Sequence, residues 1–91
     1  MTAPWRVTFA PVAARELERL SGPASLRAAE RIAELGNDPL PSRSRKVVGT
    51  AYWRIRVGEV RVVYSLDEIE RVVVVVRVAR RAEGTYRRLS R

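Results

Sequence analysis

The stretch that decides the fold is Tyr52 to Tyr64, YWRIRVGEVRVVY, in which large apolar residues alternate with arginines on both sides of a Gly-Glu dipeptide. A glycine at the first position of a two-residue turn supplies the positive φ of a type II′ hairpin. With Gly58 and Glu59 at the turn, Arg56 lies directly opposite Arg61. The pattern therefore predicts a β-hairpin whose tip is Gly58-Glu59.

The predicted hairpin has two chemically different faces, because opposed residues share a face and successive residues alternate between faces. One face is wholly apolar and carries Trp53, Ile55, Val57, Val60, Val62 and Tyr64. The other carries Arg54, Arg56 and Arg61 with Val63. Like charges opposed across a sheet are unfavourable, so the basic face indicates an anionic ligand such as a phosphate backbone. The alternative is a solvated face of an ordinary antiparallel sheet.

Upstream of the hairpin, the chain predicts a strand followed by two helices. The alternation from Trp5 to Phe9 is typical of a short strand, and Pro11 suits the first turn of a helix. The inward residues of the first helix are predicted to be Ala13, Leu17 and Leu20, with Arg15, Glu16, Glu18 and Arg19 in solvent. Those of the second are predicted to be Leu26, Ala29, Ile32, Ala33 and Leu35, with Gly36 as the C′ residue.

Around the hairpin, the pattern predicts the rest of one sheet. LPSRSR, residues 40–45, is predicted as a loop, and Lys46 to Val48 as the start of a strand ending at Gly49. Val72 to Ala79 is nearly all apolar at first and is predicted to be central, with Val74, Val76 and Val78 facing the core. Arg77, Ala79 and Arg81 take the other face. The whole is predicted as a single α+β domain, residues 1–91, of order β-α-α-β-β-β-α, with an antiparallel-rich sheet and an αα-hairpin on one face.

Composition limits the possible functions. Eighteen basic and ten acidic residues give a net charge of +8, which favours a polyanionic or acidic partner. The chain has no cysteine and no histidine, so we expect no metal, no cofactor and no triad hydrolase. We identify no signal peptide and no apolar run of membrane-spanning length, and expect a cytoplasmic protein without membrane contact.

A resemblance to a known family extends over nearly the whole chain. It is carried by WRIRVGEVRVVY, the acidic turn and valine-rich strand that follow, VARR at 78–81, and Tyr86 five residues after the second of those arginines. In these motifs the sequence resembles the RelE branch of the RelE/ParE toxins of bacterial toxin–antitoxin pairs. The resemblance implies a RelE-like microbial RNase fold. It also implies a ribosome-dependent endoribonuclease that cuts messenger RNA in the decoding site and is held inactive by a cognate antitoxin.

The resemblance also implies residue roles. Five residues match the catalytic positions of the family: Arg54, Arg56, Arg61, Arg81 and Tyr86. The implied reaction is attack of the ribose 2′-hydroxyl on the adjacent phosphorus. Arg61 and Arg81 would stabilise the phosphorane, Arg81 would also assist the leaving group, and Tyr86 would stack on or orient the nucleotide. Other cations are candidate RNA-binding residues: Arg45, Lys46, Arg77, Arg80 and Arg87.

The sequence departs from the family at the general base. Some relatives have lysines where this chain has Arg54 and Arg56, and others supply a Glu or His, but a guanidinium is a poor proton acceptor. We prefer a site that works by electrostatic stabilisation and by positioning of the 2′-hydroxyl. A depressed arginine pKa, weak cleavage and groups supplied by the ribosome stay open.

Two other functions fit the same features. A ParE-like inhibitor of DNA gyrase shares the fold and needs no general base. A non-catalytic RNA-binding module would use the basic face only to hold phosphates.

Overall fold

The structure is a computed structural model that describes residues 4–80 of the chain. These residues form, in order, β1 (Arg6–Phe9), α1 (Pro11–Arg19), α2 (Gly22–Glu34), β2 (Arg45–Lys46), β3 (Trp53–Val57), β4 (Val60–Asp67) and β5 (Val72–Arg80). The α+β class and the succession of strand, helical hairpin and sheet are confirmed. The helical turn predicted for the tail, with Tyr86 and Leu89, lies outside the described residues.

The five described strands form one mixed sheet in the order β1-β5-β4-β3-β2. β1 runs parallel to β5, and the other neighbouring pairs are antiparallel. The hairpin of β3 and β4 has the predicted register, with Arg56 opposite Arg61. Gly58 adopts a φ of 60° at the turn, a conformation that glycine adopts without steric cost. β5 is flanked by β1 and β4, as the apolar run from Val72 predicted.

The core lies between the two helices and one face of the sheet. Its buried members are Ala13, Ala28, Ile32, Leu35, Ile55, Val60, Val62, Tyr64, Val73, Val75 and Val78. Trp5, Leu17, Leu20 and Trp53 pack against this cluster and are partly buried. The apolar face predicted for the hairpin is therefore the face that packs on the helices.

The prediction of the core side of β5 was wrong at its beginning, where Val73 and Val75 enter the core instead of Val74 and Val76. The cause is an irregularity in the pairing with β4, because Val63 pairs with Arg77 while Tyr64 pairs with Val75. One extra residue on β5 reverses the alternation at that point, as a β-bulge does. Val78 then faces the core as predicted.

The prediction of the inward face of α2 was also wrong in part. Ala28, Ile32 and Leu35 enter the core, whereas Leu26 is 68% exposed and Ala29 and Ala33 are exposed. The buried residues follow the i, i+4, i+7 spacing of one helical stripe. Two adjacent alanines at 28 and 29 gave the sequence no means of fixing the rotation of the helix.

Gly36 follows the C-cap Leu35, as predicted, but its φ is not positive. Glycine is needed there because a Cβ atom would lie 3.0 Å from the carbonyl oxygen of Trp5. This close approach includes a hydrogen bond of 2.7 Å from the Trp5 amide to the Gly36 carbonyl, which joins α2 to β1.

The strand predicted for Lys46 to Val48 begins one residue earlier and ends at Lys46. The side chain of Val48 is 92% exposed. The backbone after Val47 turns towards Tyr52 instead of continuing along β3, since the Val47 amide donates to the Tyr52 carbonyl.

Candidate functional site

Four arginines share the sheet face opposite the helices. Arg45 of β2 pairs with Arg54 of β3, and Arg56 of β3 pairs with Arg61 of β4. Paired residues share a face, and Arg54 and Arg56 are two residues apart on one strand, so all four lie on one side of the sheet. We call Arg45, Arg54, Arg56 and Arg61 the arginine face.

The four guanidinium groups differ in exposure. Arg45 and Arg56 are exposed, whereas Arg54 and Arg61 are partly buried. The Nε atom of Arg61 is buried. A partly desolvated cation attracts an anion more strongly than a cation in bulk water, because the local dielectric is lower. Arg61 is therefore the member best placed to stabilise a negative charge.

The centre of the arginine face is apolar. Val63 pairs with Arg54, and Ala79 pairs with Arg61, so both residues share this face by register. Val63 is fully buried, and Ala79 is 2% exposed. The cations therefore surround a packed centre instead of standing on a fully solvated sheet.

Arg45 extends from a loop whose conformation is held by several hydrogen bonds. Its Nη1 donates to the carbonyls of Ser42 and Ser44, at 2.9 and 2.8 Å. The Tyr64 hydroxyl donates to the Pro39 carbonyl at 2.7 Å and attaches the start of the loop to the core. Burial raises the pKa of Tyr64 to about 12, so this donor keeps its proton at physiological pH.

Lys46, a predicted RNA-binding residue, has a different orientation from Arg45. It pairs with Trp53, whose side chain packs against the core, so Lys46 is on the helical side of the sheet. Its Nζ atom lies 5.2 Å from the centroid of the Trp53 ring, within the range of a cation–π interaction. The only lysine of the chain is thus directed away from the arginine face.

Arg77 pairs with Val63, yet its guanidinium binds a carboxylate of α1. Its Nε lies 3.1 and 3.0 Å from the two carboxylate oxygens of Glu16, and its Nη2 lies 2.6 Å from Oε2. Glu16 Oε1 also accepts the backbone amide of Val78 at 2.7 Å. β1 pairs with β5 only as far as Val75, so the carboxylate occupies the edge of β5 beyond that pairing.

The prediction that Glu16 faces solvent was wrong: its side chain is 15% exposed. Glu16 is also a residue that sequence reasoning missed. It lies three residues after the buried Ala13, at the border of the apolar stripe, and only the tertiary structure brings it to β5. No signal in the sequence separates it from its neighbour Glu18.

The remaining predicted site residues lie at the end of β5 or beyond it. Arg80 is exposed and pairs with Val60, which places it on the helical side of the sheet. Together with Glu16 and Arg19 it lines a hollow of about 220 Å³. Arg81, Tyr86 and Arg87 lie outside the described residues, and their predicted roles stay predictions.

Other site chemistry was also sought in the part of the chain from residue 4 to residue 80. It contains no group of three or more acidic side chains arranged to hold a metal ion. No helix in the same part is long and apolar enough to cross a membrane. What the described residues offer is a concentration of guanidinium groups on one face.

Comparison with known proteins identifies the family. A profile of the family described as the ParE toxin of the type II toxin–antitoxin system parDE matches residues 7–84. The chain belongs to the RelE/ParE toxin superfamily. It is therefore the toxin of a type II toxin–antitoxin system. No curated protein matches the sequence of this toxin.

Solved structures place the toxin's fold with RelE. RelE in the archaeal RelE–RelB complex of Pyrococcus horikoshii superposes with a TM-score of 0.76 at 24% identity, covering 88% of this chain and 98% of that one. For the RelBE2 complex of Mycobacterium tuberculosis the TM-score is 0.75 at 25% identity, with 86% and 99% covered. The isolated Escherichia coli RelE toxin gives 0.75 at 18% identity, with 93% and 95% covered. The first two relatives are crystallised with their antitoxins.

Proposed function

We propose that this toxin is a ribosome-dependent endoribonuclease of the RelE type, which cleaves messenger RNA in the decoding site and stops translation. The observation that carries the proposal is the pairing of Arg56 with Arg61, with Arg54 and Arg45 on the same face. Opposed guanidinium groups repel each other unless an anion lies between them. A phosphodiester is such an anion, and its oxygens match the planar guanidinium fork.

The proposed reaction is an internal transesterification. The ribose O2′ forms a bond to the adjacent phosphorus, and the bond from phosphorus to O5′ breaks. The products are a 2′,3′-cyclic phosphate and a 5′-hydroxyl; the 2′-hydroxyl proton passes to water, and O5′ acquires a proton as it leaves. Arg61 and Arg81 stabilise the charge that develops on the phosphorane, and Arg81 assists the leaving oxygen. Tyr86 stacks on the nucleotide.

The arginine face contains no good proton acceptor, and this determines how the enzyme must work. The chain has no histidine, and Lys46 lies on the helical side of the sheet. The rate enhancement therefore comes from charge stabilisation and alignment of O2′ with the scissile bond. Such an enzyme depends on the ribosome to hold the message and to supply any further group.

A second candidate function is inhibition of DNA gyrase, and a specific observation favours it. The family profile that matches residues 7–84 is the one described as ParE. A gyrase inhibitor requires no general base, so the composition of the arginine face also fits it. We place it second because all five positions that the resemblance implies for RNA cleavage are filled in this sequence.

The decisive experiment combines purified ribosomes, a defined message and the full-length toxin. We expect cleavage within the codon in the decoding site, and loss of cleavage when the scissile nucleotide carries a 2′-deoxyribose. Arg61→Ala and Arg81→Ala should each abolish cleavage and growth arrest, whereas Arg27→Ala, an exposed arginine of α2, should have no effect.

Two results would overturn the proposal. Inhibition of gyrase supercoiling without any message cleavage would assign the toxin to the ParE type. An intact message, with salt-sensitive RNA binding and no effect on gyrase, would leave a non-catalytic RNA-binding module.

The proposed partner is a small acidic antitoxin whose helical segment covers the arginine face or displaces the tail, residues 82–91. The net charge of +8 and the exposed cations Arg45 and Arg56 support this mode. Antitoxin affinity should fall as salt rises and change when residues 82–91 are removed. Affinity unaffected by both changes would exclude the mode, and isothermal titration calorimetry measures it.

A further inference from the structure

A cavity of about 120 Å³ opens beside the arginine face. It lies where the chain of β2 separates from β3. Continuing their register would bring Arg43 opposite Arg56, but the pairing ends at Arg45 and Arg54. The gap left by this separation is closed below by the last turn of α2, which ends at Glu34.

The lining of the cavity has two parts. The floor is apolar and consists of Leu35, Pro41, Ile55 and Val57. The wall is charged and consists of Arg31, Glu34, Asp38, Arg43 and Arg56. Three cations and two carboxylates around an apolar floor make a small site for a flat ligand with both acceptor and donor groups.

Arg56 connects this cavity to the arginine face. It lines the cavity, and it also pairs with Arg61 across the hairpin. Arg43, on the other side of the gap, is exposed. A polyanion that lies on the arginine face and passes over Arg56 therefore reaches the mouth of the cavity between two guanidinium groups.

The carboxylates determine which part of such a ligand enters. Glu34 and Asp38 would repel a phosphate, so the phosphate stays at Arg43 and Arg56, and a neutral group occupies the interior. An apolar floor suits the flat surface of a nucleobase that has left its stack. Carboxylate oxygens are acceptors only and need a ligand edge that presents N–H donors.

We propose that this cavity binds one unstacked nucleobase of single-stranded RNA and prefers guanine. The N1–H and 2-amino groups of guanine donate in parallel to one carboxylate, whereas uracil presents one N–H between two carbonyls. Asp38 and Glu34 are then specificity-determining residues. This inference deepens the proposed function and rests on RNA lying on the arginine face.

The test is an NMR titration of the full chain with guanosine and uridine monophosphates. We expect GMP to shift the signals of Leu35, Ile55 and Val57, and UMP to bind about tenfold more weakly. Asp38→Asn should remove the preference. Glu30→Gln, an exposed acid one turn earlier on α2, should leave it unchanged.

Three outcomes would overturn the inference: no shifts at the floor residues, equal affinity for the two nucleotides, or binding there of an acidic leucine-containing peptide without any nucleotide effect. The titration needs neither ribosome nor cleavage. A toxin that fails to cut RNA but passes this test keeps the nucleobase site, and an active nuclease that fails it loses only the site.

Discussion

At the scale of single residues, Glu16 has the most partners and the least warning in the sequence. One carboxylate binds the Arg77 guanidinium through both oxygens and also accepts the Val78 amide. The two side chains are 13% and 15% exposed, so water does little to replace the interaction. Glu16 therefore joins α1 to the end of β5, the strand that leads to Arg81.

We expect Glu16→Ala to lower the free energy of unfolding by about 2 to 3 kcal/mol, because it leaves a partly buried cation and an amide without their acceptor. Urea denaturation measures this change. The matched control is Glu18→Ala, an exposed acid on the same helix, which should change stability by under about 0.5 kcal/mol. Equal effects of the two substitutions would show that the Glu16–Arg77 pair contributes nothing.

Tyr64 should make stability depend on alkaline pH. Burial raises its pKa from 10.0 to about 12, so an unfolded chain loses this proton first as the pH rises. Its contribution to stability is complete below about pH 10 and is lost as the pH approaches 12. Between those values wild type should lose up to about 1.4 kcal/mol per pH unit more than Tyr64→Phe.

Urea denaturation across that range measures the difference, and Tyr52→Phe, at a partly exposed tyrosine, is the control. Parallel stability curves for wild type and Tyr64→Phe would contradict the assignment.

At the scale of elements, the irregularity in β5 decides which valines form the core. The strand reads VVVVV, so no periodicity distinguishes one face from the other. The pairing with β4 shifts between Val63 and Tyr64, and this shift places Val73, Val75 and Val78 on the helical side. The rotation of α2 shows the same limit, because Ala28 and Ala29 are chemically identical.

Neighbouring valines of β5 should therefore respond differently to truncation. Val75→Ala should lower the free energy of unfolding by about 2 kcal/mol, because it leaves a void in a fully buried site. Val74→Ala, at a partly exposed position one residue earlier, should cost less than half as much. Thermal or urea unfolding of the pair measures the ratio, and a larger effect at Val74 would contradict the observed register.

At the scale of the whole molecule, the fold separates apolar from cationic residues. The helical hairpin covers one face of the sheet, and the opposite face carries Arg45, Arg54, Arg56 and Arg61. A net charge of +8 attracts any polyanion, but four arginines on adjacent strands give the attraction a defined place. The loop that carries Arg45 is fixed by Tyr64, so part of this face is organised before a ligand binds.

RNA binding should consequently show a salt dependence that identifies each phosphate contact. For single strands the slope of log K against log salt concentration is about −0.7 per phosphate neutralised, so Arg56→Ala should reduce its magnitude by about 0.7. Fluorescence anisotropy with a short labelled RNA measures the slope. Arg27→Ala, on the helical side, should leave it unchanged; the same loss for both variants would mean that binding follows net charge alone.

The sequence by itself determined the hairpin, its register and the sharing of one face by Arg54, Arg56 and Arg61. Those features follow from local rules: the positive φ at Gly58 and the two-residue period of a strand. The tertiary structure alone decided the rotation of α2, the core residues of β5, the Glu16–Arg77 pair and the cavity at Arg43 and Arg56. Each of these depends on contacts between residues distant in sequence, where uniform runs of valine or alanine carry no phase and a charged residue at a helix border carries no direction.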